Sequence, residues 1–289
     1  VARLLDSSAL PRQHAVRLVR GSHMVVPRKY AHDRAYFCQN RDGRIFFAIP
    51  YEGDFTLIGT TDADHEGSPD TPTASAAEID YMCRAASAFF RDPVTPDQIV
   101  WSYAGIRPLV EDGSGRPEAA TRGYRFEVND GGGDAPILSI FGGKITTYRH
   151  LAESALAELT PWLPQLRAPS WTGKAALPGG GDGIDGTAAA KAALAEHYPW
   201  LAAVEVERIY HIYGTLAEDW LGGARARAEL GRNFGHGLSQ AEVDYLVQRE
   251  WAQTADDILW RRTKLGLRFT AAEAAELDHY LTERVAAAA

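Results

Sequence analysis

The segment that most constrains the fold is the stretch from Pro136 to Leu159, PILSIFGGKITTYRHLAESALAEL. Its apolar run ILSIF predicts a buried strand, and the apolar spacing after Gly142 and Gly143 predicts an amphipathic helix. A strand that turns through glycines into a helix directs free N–H groups and the positive end of the helix dipole to one point. This point suits an anion or the electron-rich edge of a cofactor, and Lys144 adds a positive charge. The alternative is an ordinary β–α connection with a surface lysine.

Composition sets the broad class. A chain of 289 residues that is 45% hydrophobic can bury a sizeable core, and its length favours two domains. The net charge of −8 argues against a nucleic-acid partner. No apolar run has the length of a membrane span, and no signal peptide is recognisable. Cys38 and Cys83 are interpreted as free thiols of a cytoplasmic protein, with a single disulfide as the alternative.

The first half of the chain predicts an antiparallel or mixed β-sheet. Short β-rich runs alternate with turn residues, and Asp42-Gly43 predicts a two-residue hairpin of type I′. Ser75 and Glu78 form a capping box for a helix that stops at Pro93. The predicted strands cover residues 23–26, 35–38, 44–49, 55–59, 99–104 and 124–128, followed by the Pro136 stretch, while residues 16–19 alternate poorly.

A separate all-α domain is predicted after this sheet, which makes the fold class α+β. We assign 1–165 to a β-rich domain, 166–186 to a linker and 187–289 to the helical C-terminal domain. Gly181, Gly183 and Gly186 spell G-x-G-x-x-G within the linker. Because no strand precedes them and helices follow, we reject a dinucleotide site there.

The helical region is interpreted as structural. Capping boxes at Ser239/Glu242 and Thr270/Glu273 begin two of its helices. Asp256 and Asp257 serve a helix dipole, and the basic residues that follow them are read as a solvated helix end. The residues predicted to form its core are Leu246, Trp251, Ile258 and Trp260. Histidine and cysteine spacings match no metal site, so no metal ligand is assigned.

Four motifs in order along the chain carry a family resemblance: GSHMVVPR, YAGIRPLV, FGGKITTYR and ADDILWRRTKLGL. The sequence resembles the FAD-dependent glycerol-3-phosphate dehydrogenases, bacterial respiratory enzymes that pass electrons to quinone. Those enzymes begin with a dinucleotide-binding βαβ unit, which this sequence lacks. The resemblance therefore implies the C-terminal portion of a flavoenzyme that oxidises sn-glycerol 3-phosphate to dihydroxyacetone phosphate. We expect such a portion to be inactive by itself.

The resemblance also implies that residues 1–165 form a substrate-binding domain that caps the flavin and holds part of its site, and it implies individual substrate-binding residues. Arg107 matches the arginine that fastens the substrate over the flavin, and we expect the glycine and proline around it to fix a bend that holds its guanidinium. Arg122 and Lys144 match positions near the substrate phosphate, and His23 is expected to hydrogen-bond the substrate or the flavin edge. Arg107 and Lys144 are the predicted catalytic residues. From the residues alone, Arg122 is equally well a strand-edge charge and His23 a structural histidine.

Cofactor contacts are expected from Gly142, Gly143, Lys144, Ile145 and Thr146, although a threonine here could instead cap the helix. The implied chemistry is hydride transfer to FAD, with a general base supplied from outside this sequence. Implied partners are glycerol 3-phosphate and quinone, while a homodimer and peripheral attachment to the inner face of the cytoplasmic membrane are left open. Two alternatives remain: an oxygen-using glycerol-3-phosphate oxidase, and a stand-alone module that binds a phosphorylated metabolite or a protein.

Overall fold

The computed structural model describes residues 1–8, 10–11, 13–130, 135–181 and 187–288. It divides the chain into two compact units, Val1–Gly173 and Lys174–Ala289. The first contains antiparallel sheets with few helices, and the described part of the second contains helices, so the predicted α+β class is confirmed. Gly183 and Gly186 of the rejected G-x-G-x-x-G segment lie outside the described residues.

The first unit contains one six-stranded sheet and one two-stranded sheet. The described helices and strands of this unit are α1 (Ala2–Ser7), β1 (Val16–Pro27), β2 (Tyr36–Gln39), β3 (Ile45–Tyr51), β4 (Phe55–Gly59), β5 (Ala63–Asp64), α2 (Ala76–Ser87), β6 (Trp101–Val110), β7 (Tyr124–Asn129), β8 (Ile137–Gly142) and α3 (Tyr148–Leu159). Five strands of the larger sheet follow the order β2-β3-β4-β1-β5, and the sixth, β6, pairs with the other edge of β1, while β7 and β8 pair with each other. Each of these pairings is antiparallel.

Strand β1 separates the core of this unit from the opposite face of the sheet. Met24 and Val26 are completely buried and belong to one apolar cluster with Met82 and Ala86 of α2. Because neighbouring residues of a strand point to opposite faces, Gly21 and His23 lie on the other face. That face is the one on which the candidate site is built.

The YAGIRPLV motif is part of one continuous strand, so the bend predicted around Arg107 is wrong. β6 pairs with β1 without interruption from Val16↔Val110 to Val25↔Trp101. Pro108 is tolerated because β6 has a strand partner on one side only among the described strands, which leaves the missing N–H on the free edge. The strand ladder, rather than a turn, therefore fixes the backbone of Arg107.

The hairpin predicted at Asp42-Gly43 forms, but its turn is not of type I′. Only Gly43 has a positive φ there, and the loop closes through a bond from Asn40 N to Arg44 O of 2.8 Å. A type I′ turn requires a positive φ at both central residues. Two adjacent positive φ values occur instead at Glu52 and Gly53, in the following β3–β4 hairpin.

The predicted strand–Gly–Gly–helix unit is present, as is the capping box of α2. Ser75 accepts from the N–H of Glu78, and Glu78 accepts from the N–H of Ser75. Helix α3 differs from expectation in its packing, because none of its side chains is buried. Ile145, just before it, is 83% exposed.

The second unit is built around one apolar cluster. Leu246 and Ile258 are completely buried and Trp260 packs against the cluster, as predicted, but Trp251 is 84% exposed. Trp251 caps helix α7 (Gln240–Glu250) with a left-handed φ of 57°, so the chain turns there and the Trp251 side chain leaves the helix. The helices described in this unit are α4 (Thr187–His197), α5 (Ala203–Tyr213), α6 (Ala217–Leu221), α7 (Gln240–Glu250), a π-helical segment (Asp257–Arg262) and α8 (Ala271–Ala288).

No helix within the described ranges is both long enough and apolar enough to cross a membrane.

In the second unit, a buried ion pair between Arg208 and Glu242 takes the place of one of the two hydrogen bonds of the capping box predicted at Ser239 and Glu242. Ser239 accepts from the N–H of Glu242 as expected, but the Glu242 carboxylate turns inward. It accepts from Arg208 at 2.6 and 2.8 Å and from the Tyr213 hydroxyl at 2.8 Å. Burial, reinforced by Glu242, raises the pKa of Tyr213. A fully buried carboxylate requires such partners, and they are stronger than the one N–H that the cap offered.

Removing Glu242 should be far more costly than removing an exposed glutamate of the same unit. Glu242→Ala leaves the Arg208 guanidinium buried without its partner, and we expect a loss of about 3–5 kcal/mol of unfolding free energy. The control Glu276→Ala removes a pair with Arg232 whose side chains are both 43% exposed. Its cost should be below about 1 kcal/mol. Urea unfolding followed by tryptophan fluorescence measures both, and equal losses would contradict the prediction.

Candidate functional site

Arg107 crosses the central strand to reach the loop that follows β4. Its Nη1 donates to Asp62 Oδ1 at 2.8 Å, and its Nη2 donates to Thr60 Oγ1 at 3.2 Å. The guanidinium passes over Gly21, where an added Cβ would lie 2.3 Å from Arg107 Nη1. A side chain at position 21 would therefore displace the Arg107 guanidinium from this place, although the φ of Gly21 is ordinary.

Arg122 converges on the same carboxylate. Its Nη2 lies 3.5 Å from Asp62 Oδ1, and its Nη1 donates to Ala120 O at 2.9 Å. The two arginine side chains are 31% and 33% exposed, and that of Asp62 is 20% exposed. Burial raises the pKa of Asp62, and the positive charges of the two arginines oppose this shift. The structure thus brings Arg107 and Arg122 together around Asp62; this set is called the Asp62 cluster below.

The loop that carries Asp62 is fixed by the buried carboxylate of Glu78. Oε1 of Glu78 accepts from the hydroxyls of Thr61 at 2.7 Å and Ser22 at 2.9 Å, and Oε2 pairs with Arg20 at 2.8 Å. Thr61 in turn accepts from the N–H of Ser22 at 3.0 Å. Burial alone would raise the pKa of Glu78, but its hydrogen bonds from Ser75, Thr61 and Ser22 lower it to about 2. Glu78 therefore stays ionised and anchors the loop to β1 and α2.

His23 lies on the same face of the sheet as Arg107. Its ring stacks on Tyr103 with centroids 5.0 Å apart and covers Gly59, where an added Cβ would meet the ring at 2.3 Å. Burial, and secondly the charge of Arg107, lower the pKa of His23 to about 4. The imidazole is therefore neutral at pH 7. Its Nδ1 is buried and has no hydrogen-bond partner among the described residues.

The glycine turn before α3 is more fully bonded than expected. The N–H of Gly143, expected to be free, donates to Gly123 O at 3.0 Å, and a Cβ on Gly142 would lie 2.7 Å from the same oxygen. The expected threonine cap is also absent: the Thr147 hydroxyl donates to Lys144 O at 2.8 Å and accepts no helix N–H. The donors left for a ligand are the first N–H groups of the helix, beginning at Lys144.

Lys144, Ile145 and Thr146 are exposed. None of the hydrogen bonds or ion pairs described for this chain joins Lys144 to the Asp62 cluster. The turn nevertheless packs on Gly123, the immediate neighbour of Arg122. The backbone of the turn is thus adjacent to the backbone of the cluster, while no hydrogen bond or ion pair to another described residue fixes the position of the Lys144 amine.

Sequence reasoning missed Thr60, Thr61, Asp62 and Tyr103, and it saw Glu78 only as a helix cap. A signal was present in the run GTTD, where three polar residues directly follow a β-rich segment. Polar residues at a strand end are frequent site residues, because loops carry function on a rigid scaffold. Among the described residues, no group of three His, Cys, Asp or Glu side chains could hold a metal ion.

Comparison with known proteins identifies the class. Residues 1–149 match the family model described as FAD dependent oxidoreductase. Residues 170–286 match the model described as the C-terminal domain of alpha-glycerophosphate oxidase. The first match covers more than half of the 289 residues of this chain. The chain therefore belongs to the FAD dependent oxidoreductase family.

Within this family, similar proteins include several sugar-alcohol phosphate dehydrogenases. The chain is 42% identical to the aerobic glycerol-3-phosphate dehydrogenase of Escherichia coli (96% of this chain, 55% of that protein). It is 44% identical to the D-erythritol 1-phosphate dehydrogenase of Brucella abortus (90% and 51%). The glycerol-3-phosphate dehydrogenase from Bacillus halodurans complexed with FAD superposes with a TM-score of 0.74 at 25% identity, covering 98% of this chain and 59% of that one. These similarities confirm the resemblance, and the chain spans about half the length of the curated relatives it matches.

Replacement of Glu78 should change how stability depends on pH. Its folded-state pKa of about 2 lies below the ordinary 4.5, so the ionised carboxylate stabilises the fold above pH 4.5. This contribution is lost as the pH falls from 4.5 towards 2. The Glu78→Gln variant should therefore have a lower Tm than the unmodified protein at pH 7. Its Tm should also fall less when the pH is lowered from 4.5 towards 2. Glu66→Gln, an exposed control, should keep the original slope; an unaltered slope in Glu78→Gln would contradict the assignment.

Proposed function

We propose that this chain supplies the substrate-binding part of an enzyme that oxidises sn-glycerol 3-phosphate to dihydroxyacetone phosphate with FAD. The observation that carries the proposal is the convergence of Arg107 and Arg122 on Asp62, on the sheet face that also holds His23. Two guanidiniums and one carboxylate leave one net positive charge, which favours an anionic substrate. The names of the similar enzymes support a phosphate ester of a polyol as this anion.

Arg107 is the residue proposed to hold the substrate for reaction. A guanidinium has five N–H donors, and the described contacts of Arg107 use two of them. The remaining donors are available for substrate oxygens, while Asp62 and Thr60 keep the plane of the group fixed. Arg122 adds a second cation for the phosphate. His23, neutral at pH 7, is proposed to hydrogen-bond the reacting end of the substrate or the flavin edge.

The chemistry that a bound FAD would supply is acceptance of a hydride from the substrate carbon. The residues proposed to hold it are Gly142, Gly143, Lys144, Ile145 and Thr146, and their properties fit a flavin edge. The turn offers the first N–H groups of a helix, a lysine, and an isoleucine that is 83% exposed. The helix start and Lys144 favour negative charge beside them, which is an electrostatic role that needs no proton donor. The general base is proposed to come from the part of the relatives that this chain does not span.

The electron acceptor is proposed to be a quinone, with the enzyme attached peripherally to the inner face of the cytoplasmic membrane, and the 289 residues are proposed to be inactive alone. A second candidate is molecular oxygen, because residues 170–286 match a domain named for alpha-glycerophosphate oxidase. Oxygen uptake measured beside quinone reduction distinguishes the two.

The proposal is tested first at Arg107, in the complete enzyme with FAD bound. Arg107→Lys keeps the charge but loses the planar fork, so we expect kcat/KM for glycerol 3-phosphate to fall roughly 10- to 150-fold, equivalent to about 1.5–3 kcal/mol. The control Arg125→Lys alters an exposed arginine that donates to Tyr124 O. It should change kcat/KM by less than about threefold. A similarly small change in Arg107→Lys would refute the assignment.

Lys144 gives an independent test of the flavin contacts. Lys144→Ala should lower kcat by about tenfold or more, since it removes a charge proposed to favour the reduced flavin. The melting temperature should stay nearly the same, because an exposed lysine contributes little to stability. Lys174→Ala, another exposed lysine, should leave both quantities unchanged. If Lys144→Ala lowers the melting temperature and spares kcat, its role is structural.

A further inference from the structure

The carboxylate of Asp62 has one oxygen engaged and one available. Oδ1 accepts from Arg107 and lies near Arg122, while no hydrogen bond from a described residue reaches Oδ2. The side chain is 20% exposed, and Oδ2 is not one of the described polar atoms that are buried without a partner. Asp62 is thus an acceptor within the cluster whose second oxygen no described residue uses.

The position of this acceptor is fixed on both sides. Thr61, the residue before Asp62, is bonded to Glu78 and to the backbone of Ser22. Asp62 leads directly into β5, which pairs with β1 through Arg20↔Ala63. The Arg107 guanidinium holds Oδ1 from across β1. A carboxylate held in this way presents Oδ2 in a defined place before any ligand arrives.

The charge of the Asp62 carboxylate determines which group of a substrate can donate a hydrogen bond to Oδ2. A phosphate oxygen beside a carboxylate is repelled, and a phosphate ester is mostly a dianion without a proton to donate at neutral pH. The phosphate must therefore lie on the arginine side, away from Oδ2. The proposed substrate has another group that suits this oxygen: a hydroxyl, which donates one hydrogen bond and carries no charge. A polyol phosphate has at least one such hydroxyl besides the one that is oxidised.

We propose that Asp62 is the specificity-determining residue for polyol phosphates, in which Oδ2 accepts a hydrogen bond from the substrate hydroxyl that is not oxidised. The inference rests on the proposed function and extends it to a residue that selects among phosphate esters. A substrate without that hydroxyl would leave Oδ2 unpaired in a site closed by substrate, and such a loss is penalised more strongly than a missing methylene group. The selection thus depends on a carboxylate placed between two cations.

The test compares two substrates in the complete FAD-loaded enzyme. Glycerol 3-phosphate and propane-1,2-diol 1-phosphate share the phosphate and the secondary alcohol, and the second lacks only the terminal hydroxyl. The unmodified enzyme should prefer glycerol 3-phosphate in kcat/KM by roughly 10- to 150-fold, the range for a charged hydrogen bond. In Asp62→Ala both substrates should react more slowly because Arg107 loses a partner, and the preference should fall to about threefold or less.

Thr60→Val is the matched control. It removes the other described partner of Arg107 but leaves Oδ2 in place. Both substrates should slow by a similar factor and the preference should persist. Calorimetric binding of dihydroxyacetone phosphate and hydroxyacetone phosphate, which differ by the same hydroxyl, gives a second readout without turnover. Should Asp62→Ala not fold, Asp62→Ser keeps a polar group beside the arginines, lacks the second oxygen and should lose the preference equally.

The outcomes separate the two proposals. If the unmodified enzyme oxidises neither substrate, the proposed function is wrong. If it oxidises glycerol 3-phosphate but the preference over propane-1,2-diol 1-phosphate is the same in Asp62→Ala, the function stands and the role of Asp62 is refuted. A preference that collapses in Thr60→Val as well would assign the selection to the placement of Arg107, which also overturns the inference.

Discussion

The buried carboxylate of Glu78 is the interaction on which the first unit depends most. It bonds to the N-terminus of α2 through Ser75, to β1 through Ser22 and Arg20, and to the β4–β5 loop through Thr61. Each of these segments has other contacts, but Glu78 is the group that joins all three. A buried charge that lost any of them would be left poorly solvated, so the network holds as a unit. The loop that orients Arg107 is thereby tied to the core of the sheet.

Within strand β1, the residues that pack in the core and the residues of the candidate site lie on opposite faces. The face of β1 that bears Met24 and Val26 packs on α2, and the face that bears Gly21 and His23 carries the candidate site. Glycines at 21 and 59 leave the flat space into which a guanidinium and an imidazole fit. A site of this kind keeps its cations partly exposed while their supports are buried, which limits the desolvation that a fully buried charge would suffer.

Much of this architecture is predictable from sequence, because it follows from local rules. The strand–Gly–Gly–helix unit, the α2 capping box and the strands before residue 60 reflect periodicity, turn residues and caps. The convergence of Arg122 and Arg107 on Asp62 is not predictable in this way, since it depends on strand order and on a side chain crossing β1. Trp251 shows the same limit: an aromatic residue is usually core, but a left-handed cap turns it outward. The family resemblance named Arg107 and Arg122, yet neither it nor the periodicity pointed to Asp62.

The reach of Arg107 across Gly21 makes the site sensitive to the alignment of β6 with β1. Val19 faces Arg107 and Gly21 faces Gly105 in this ladder. Since side chains alternate, sliding one strand by a single residue would carry the guanidinium to the helix side of the sheet. Changes of chain length are therefore unequal in effect. An insertion in the hairpin loop at residues 40–44 leaves this alignment intact. An insertion between Val19 and Gly21 would instead move residues of the site to the opposite face of the sheet, although each of those residues would be unchanged.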